Sequence, residues 1–120
     1  MAVEINGLTG FTFNNNSVQD VGAVGTGGQT WQDVTASRAG GTTYTNSTGK
    51  PIQVNISGRS NSTTSFLTLF VNGVAVQQSY FFFNTGSQSN PSTLTAIVPA
   101  GSNYSVSVTN YILQIWAELR

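Results

Sequence analysis

The chain contains no cysteine and no histidine, and only 7% of its 120 residues are charged. Disulfides, thiolate chemistry and imidazole-based metal or acid–base sites are therefore excluded. Lys50 is the sole lysine and the formal net charge is zero. No basic patch exists to neutralise nucleic-acid phosphates, and no polybasic run to hold an anionic membrane. The N-terminus, MAVEINGLTG, lacks the basic region and apolar core of a signal peptide. The apolar runs are too short to span a bilayer as a helix. No long stretch has helical periodicity, and no repeat recurs at a fixed period.

Neutral polar side chains take the place of charge. Ser (14), Thr (16), Asn (12) and Gln (8) are joined by 13 glycines, with 11% aromatics. This composition favours strands and turns over long helices and argues against disorder. The length suits one domain with a single core.

Residues 1–28 have the least regular pattern. Phe11-Thr12-Phe13 reads as a short strand, followed by an Asn14-Asn15-Asn16 turn. Gly25-Thr26-Gly27-Gly28 lacks the lysine and strand–loop–helix setting of a phosphate cradle. The segment is expected to be a linker or edge strand, with docking on a neighbouring subunit open.

From Gln29 to Arg120 the pattern is all strand. Trp31 to Thr35 alternates, Thr42 to Thr45 is β-branched and aromatic, and Ile52 to Ile56 alternates strictly. Gly58 to Thr63 reads as a polar loop. Ser65 to Val71 is apolar on both faces, as expected for a strand covered on both sides. Asn72-Gly73 is the strongest hairpin signal, leading into VAVQQSYFFF. Thr93 to Val98, Asn103 to Val108 and Tyr111 to Leu119 follow. In the last, Leu113, Ile115, Ala117 and Leu119 share one face, and Ile112, Gln114, Trp116 and Glu118 the other. The fold predicted is an all-β, antiparallel, jelly-roll-like sandwich.

Catalysis needs a nucleophile with a base, a carboxylate pair or a metal. The acids are Glu4, Asp20, Asp33 and Glu118, and nothing in the sequence pairs Asp33 with Glu118 as a glycosidase would require. Clustered carboxylates for a hard cation are lacking. The expectation is a protein that is not an enzyme, with no metal and no cofactor. Carbohydrate binding suits neutral polar loops bearing aromatics. Asn46–Lys50, Gly58–Thr63 and Asn84–Ser92 are the candidate loops, and Tyr44, Arg59, Tyr80 and Tyr111 the candidate contacts. Phe66, Phe70, Phe81, Phe82, Phe83, Ile112 and Trp116 either fill the core or form an oligomer interface. Five Asn-x-Ser/Thr triplets, at Asn15, Asn46, Asn55, Asn61 and Asn103, are expected by chance in so Ser/Thr/Asn-rich a chain.

The runs WQDVTASRAGGTTYTNSTGKPIQVNISG, LTLFVNGVAV, IVPAGSNYSVSV and LQIWAELR resemble the C-terminal receptor-binding domain of tail-fibre-type proteins of tailed bacteriophages. The match runs from about Gln29 to Arg120, its most specific block being WQDVTASRA-x-x-TTYTN-x-TGKPI. The layout is also loosely similar to trimeric jelly rolls of complement-type and tumour-necrosis-factor-like heads. The resemblance implies a homotrimeric tip on the virion that contacts a host cell-surface polysaccharide or protein. It carries no catalytic motif over. The alternative is a structural virion protein, a head decoration or fibre joint, whose partners are other virion proteins.

Overall fold

The computed structural model describes residues 4–6, 10–12, 18–19, 24–25, 28–82 and 89–120. Three short strands open the chain, β1 (Glu4–Asn6), β2 (Gly10–Thr12) and β3 (Val18–Gln19), paired antiparallel in the order β1-β2-β3. The sequence suggested one strand here. Phe13 and the Asn14–Asn16 turn lie outside the described residues, as does most of the loop from Asn84 to Ser92.

The rest is a sandwich of two four-stranded antiparallel sheets. Its strands are β4 (Trp31–Asp33), β5 (Thr43–Thr45), β6 (Ile52–Ser60), β7 (Thr64–Val71), β8 (Val74–Phe82), β9 (Pro91–Val98), β10 (Asn103–Thr109) and β11 (Tyr111–Leu119). One sheet has the order β5-β10-β7-β8 and the other β4-β11-β6-β9. The pairs β7–β8, β6–β9, β5–β10 and β4–β11 are nested along the chain, each enclosing the one before. That nesting is the connectivity of a jelly roll, as the sequence predicted.

Local chemistry accounts for the turns. Asn72 (φ 50°) and Gly73 (φ 78°) both occupy the left-handed region, which a two-residue type I′ hairpin demands. Asn72 adds side-chain bonds to Ser102 Oγ (3.0 Å) and from the Asn103 N–H (2.9 Å), tying the hairpin to the turn before β10. Asn46, almost fully buried, donates to the carbonyls of Lys50 (2.7 Å), Val98 (3.0 Å) and Pro99 (3.1 Å) and accepts from Thr48. The Asn46–Lys50 turn is thus held by its own amide, which leaves that sequon no free side chain to modify.

Ile52, Val54, Ile56, Leu67, Leu69, Leu94, Val98, Tyr104, Val106, Tyr111 and Trp116 form the core. At roughly 1.5–3 kcal/mol for each large apolar side chain, their burial is the main stabilising term. Alternation predicts β6 correctly: Ile52, Val54 and Ile56 point in, Gln53 and Asn55 out. It fails in β11. A bulge between Leu113 and Ile115 inserts Gln114 and reverses the phase. Tyr111 and Leu113 face in before it; Trp116 and Glu118 face in after it. Ile112 and Trp116 therefore do not share a face: Trp116 is core, and Ile112 is on the outer surface.

Two boundaries also move. Thr35 leaves strand geometry for a 3-10 turn over Thr35–Ser37. β6 continues through Gly58 to Ser60, so only 61–63 of the predicted loop is loop. A Cβ on Gly58 would sit 2.7 Å from the Ile112 carbonyl oxygen beside the bulge, so glycine is required there.

Candidate functional site

The first sheet, β5-β10-β7-β8, has an outer face without a charged side chain. β7 sends Leu67 and Leu69 inward and Phe66, Thr68 and Phe70 outward. Register places Thr64 opposite Phe82, Phe66 opposite Tyr80, Thr68 opposite Gln78, and Phe70 opposite both Ala75 and Ser105. Phe66 and Tyr80 pack with ring centroids 4.8 Å apart. Tyr80 and Phe82 are more than half exposed, at 56% and 57%. Serine, threonine and asparagine on β10 and β5 flank this aromatic row.

Two depressions meet at Phe70 and Ser105. One, about 290 Å³, is lined by Thr43, Asn72, Gly73, Asn103 and Tyr104. The other, about 470 Å³, runs past the β10 edge and is lined by Gly40, Gly41, Ser107, Val108 and Leu113 among others. Gly40 makes this approach feasible, since a Cβ there would come within 2.6 Å of Val108 Cγ2. A half-buried aromatic ring rimmed by hydroxyls and amides offers a stacking surface with neutral hydrogen-bonding groups around it.

The second feature lies between the β4 and β5 edges. Glu118 has no exposed surface. Its Oε1 accepts from the Tyr104 hydroxyl (2.7 Å), Arg38 Nε (3.0 Å) and Trp116 Nε1 (3.2 Å). Its Oε2 accepts from Arg120 Nη1 (2.9 Å) and Arg38 Nη2 (3.1 Å). The Arg38 guanidinium also lies 4.4 Å over the Tyr44 ring, and Tyr44 packs edge-on against Trp116 at 5.7 Å. A carboxylate buried without partners would be very costly, and here both oxygens are saturated. No buried side-chain polar atom among the described residues lacks a partner.

Burial acts to raise the Glu118 pKa, but hydrogen bonds from Arg38, Tyr104 and Arg120 favour the ionised form and bring it below its ordinary value. Burial, reinforced by the bond to Glu118, pushes the Tyr104 hydroxyl up to about 12. Arg38 is disfavoured by burial, yet Glu118 more than offsets that and raises its pKa further. Outside the lock, the Thr35 hydroxyl and N–H lower the pKa of Asp33. Asp33 lies opposite Ala117 in the β4–β11 register, out of phase with inward-facing Glu118. The two acids thus lie on opposite faces of the second sheet. Among the described residues no cluster of acidic side chains is arranged to hold a metal.

The four candidate sugar contacts do not converge. Tyr44 is half-buried beneath Arg38, its hydroxyl accepting from the Ala39 N–H at 2.8 Å. Tyr111 is core, with its hydroxyl 3.5 Å from Ser79 Oγ. Tyr80 is exposed on the first sheet, and Arg59 is exposed on the outer face of the second, opposite Ile112 and Pro91. Phe66, Phe70 and Phe81 are half-buried. Phe83 lies outside the described residues. Arg120 and Gln32 escaped sequence reasoning, because their setting depends on contacts with residues far along the chain.

No family model, curated protein or solved structure matches the chain. No helix among the described residues is long and apolar enough to cross a membrane.

Proposed function

We propose that the chain is a non-catalytic attachment domain, the tip of a tail-fibre-type phage protein, and that it binds a host-surface glycan on the outer face of its first sheet. The observation that carries this reading is the pair of depressions flanking Phe70, uncharged and rimmed by Thr43, Asn72, Asn103, Ser105 and Ser107. Sugar C–H faces stack on aromatic rings, and sugar hydroxyls match neutral amide and hydroxyl partners.

In this reading the virion carries the domain as a homotrimer, with copies meeting through the second sheet. That sheet's outer face exposes Trp31, Ile97, Ile112 and Ile115 at 41–54%, while its charged groups are Asp33 and Arg59. These large exposed apolar side chains, interspersed with Gln53, Asn55, Ser57, Thr93 and Thr95 on the same face, suit a mixed interaction surface.

Glycan arrays and whole-cell binding test the function. Wild-type protein should retain a defined glycan and Phe70→Ala should lose it, with no reducing sugar released from the bound glycan. Equal retention by Phe70→Ala would sink the assignment. Light scattering should give three times the chain mass, and Ile115→Asp should lower it to one chain; a wild-type monomer would remove the trimer. A structural virion protein is the second reading, favoured by Val74, Val76, Tyr80 and Phe82 standing 48–63% exposed along one edge strand. Binding to purified virion proteins, with no glycan retained, would select it.

A further inference from the structure

Beside β4 and the 3-10 turn is a pocket of about 500 Å³, lined by Gln32, Val34, Ser37, Arg38 and Arg120. We propose that it is a second ligand site, one that takes the carboxylate of an acidic sugar, a hexuronate. This rests on the glycan-binding reading only in choosing a sugar as the carrier of the carboxylate.

Three features of the pocket support it. Two guanidiniums converge on one carboxylate, so the side chains of the cluster carry an excess positive charge with Glu118 ionised. The Arg120 side chain donates to Glu118 Oε2; among the described residues its other guanidinium N–H groups meet no acceptor, and the side chain is 37% exposed at the pocket wall. A guanidinium fork held in place by a buried partner is preorganised for a second, planar carboxylate. The neighbours suit the rest of a sugar ring. Gln32 uses its Nε2 on Thr30 Oγ1 (2.7 Å), leaving its Oε1 to accept from a hydroxyl. Ser37 Oγ donates to the Val34 carbonyl (3.0 Å) and keeps its lone pairs for the ligand. Val34 supplies an apolar patch. The Arg120 main-chain oxygen accepts from the Thr30 N–H at 3.1 Å.

The test is an NMR titration of the whole chain with sodium glucuronate, using glucose and inorganic sulfate as reference probes. The Trp116 indole N–H, bonded to Glu118 Oε1, reports that the lock is intact. Glucuronate should give saturable shifts at Gln32, Ser37 and Arg120, and glucose none. Arg120→Gln should weaken binding by about tenfold or more. Arg120→Lys, which keeps charge but not the fork, should fall between, and Gln32→Ala should lose a smaller factor. Phe70→Ala should bind glucuronate like the wild type, so loss of the Phe70 site and loss of this one are read separately. Should Arg120→Gln not fold, Arg120→Lys and Gln32→Ala decide. The proposal is overturned if glucose shifts the same signals, if the folded Arg120 variants bind as the wild type does, or if sulfate displaces glucuronate at equal concentration. The last result would mean an adventitious ion only.

Discussion

The Glu118 lock and the outer face of the first sheet draw on the same aromatic and hydroxyl-bearing residue types, with opposite results. Around Glu118 the aromatics Tyr44, Tyr104 and Trp116 surround a carboxylate whose every lone pair has a partner. On the first sheet Phe66, Tyr80 and Phe82 stand beside Ser, Thr and Asn side chains open to water. Satisfaction inside specifies one structure; incomplete burial outside leaves surface for a partner. Position in the sheet, rather than residue type, decides which use applies.

Substitutions separate the two regions sharply. The largest effect is expected of Trp116→Asp, which puts an unpaired charge into the core and should cost more than about 5 kcal/mol, enough to unfold the domain. A cooperative thermal transition by circular dichroism would contradict it. Glu118→Leu should cost about 3–5 kcal/mol in chemical denaturation, since it strands Arg38, Trp116 Nε1 and the Tyr104 hydroxyl together. If it is neutral, the lock is not a stabilising unit.

Next in size is the pH response. Because the Glu118 pKa is lowered on folding, its stabilisation is present above the ordinary carboxylate pKa, about 4.3, and is lost as pH falls through the folded value. Tyr104 works in the other sense. Its raised pKa stabilises the fold below about pH 10, and that contribution is lost as pH rises toward about 12. Tyr104→Phe should cost about 1–2 kcal/mol at neutral pH and flatten the alkaline limb of a denaturation series. An unchanged limb would assign that loss to another group. The smallest effect belongs to the open face: Phe82→Ser, at a position 57% exposed on the sheet edge, should alter stability by no more than about 0.5 kcal/mol. A large loss of stability there would show that the face is structural.

The parts readable in advance are those whose cause is local. Asn72-Gly73 announces its hairpin because both residues tolerate positive φ. The Ile52–Ile56 alternation displays its inner face directly. What escaped is nonlocal. The bulge at Gln114 has no signature in the sequence, yet it reverses the face of everything after it, so Trp116 was grouped with Ile112 and the burial of Glu118 was hidden. Arg38 reaches Glu118 across 80 positions of sequence, and only the strand order brings them together. The Phe70 depressions are nonlocal for a related reason: one wall is Gly40-Gly41, far from Phe70 in sequence.

The nested pairing has a consequence in time. The β7–β8 hairpin needs only a two-residue loop to close, whereas β4 and β11 must find each other from the two ends of the sandwich. Loop-closure entropy therefore favours assembly outward from Asn72-Gly73, with β4–β11 zipping last and the whole process slow for a domain of this size. The arginine lock sits on that final pair. Substitutions in it should leave the folding rate nearly unchanged and accelerate unfolding, so Glu118 acts as a latch that sets how long the folded domain lasts.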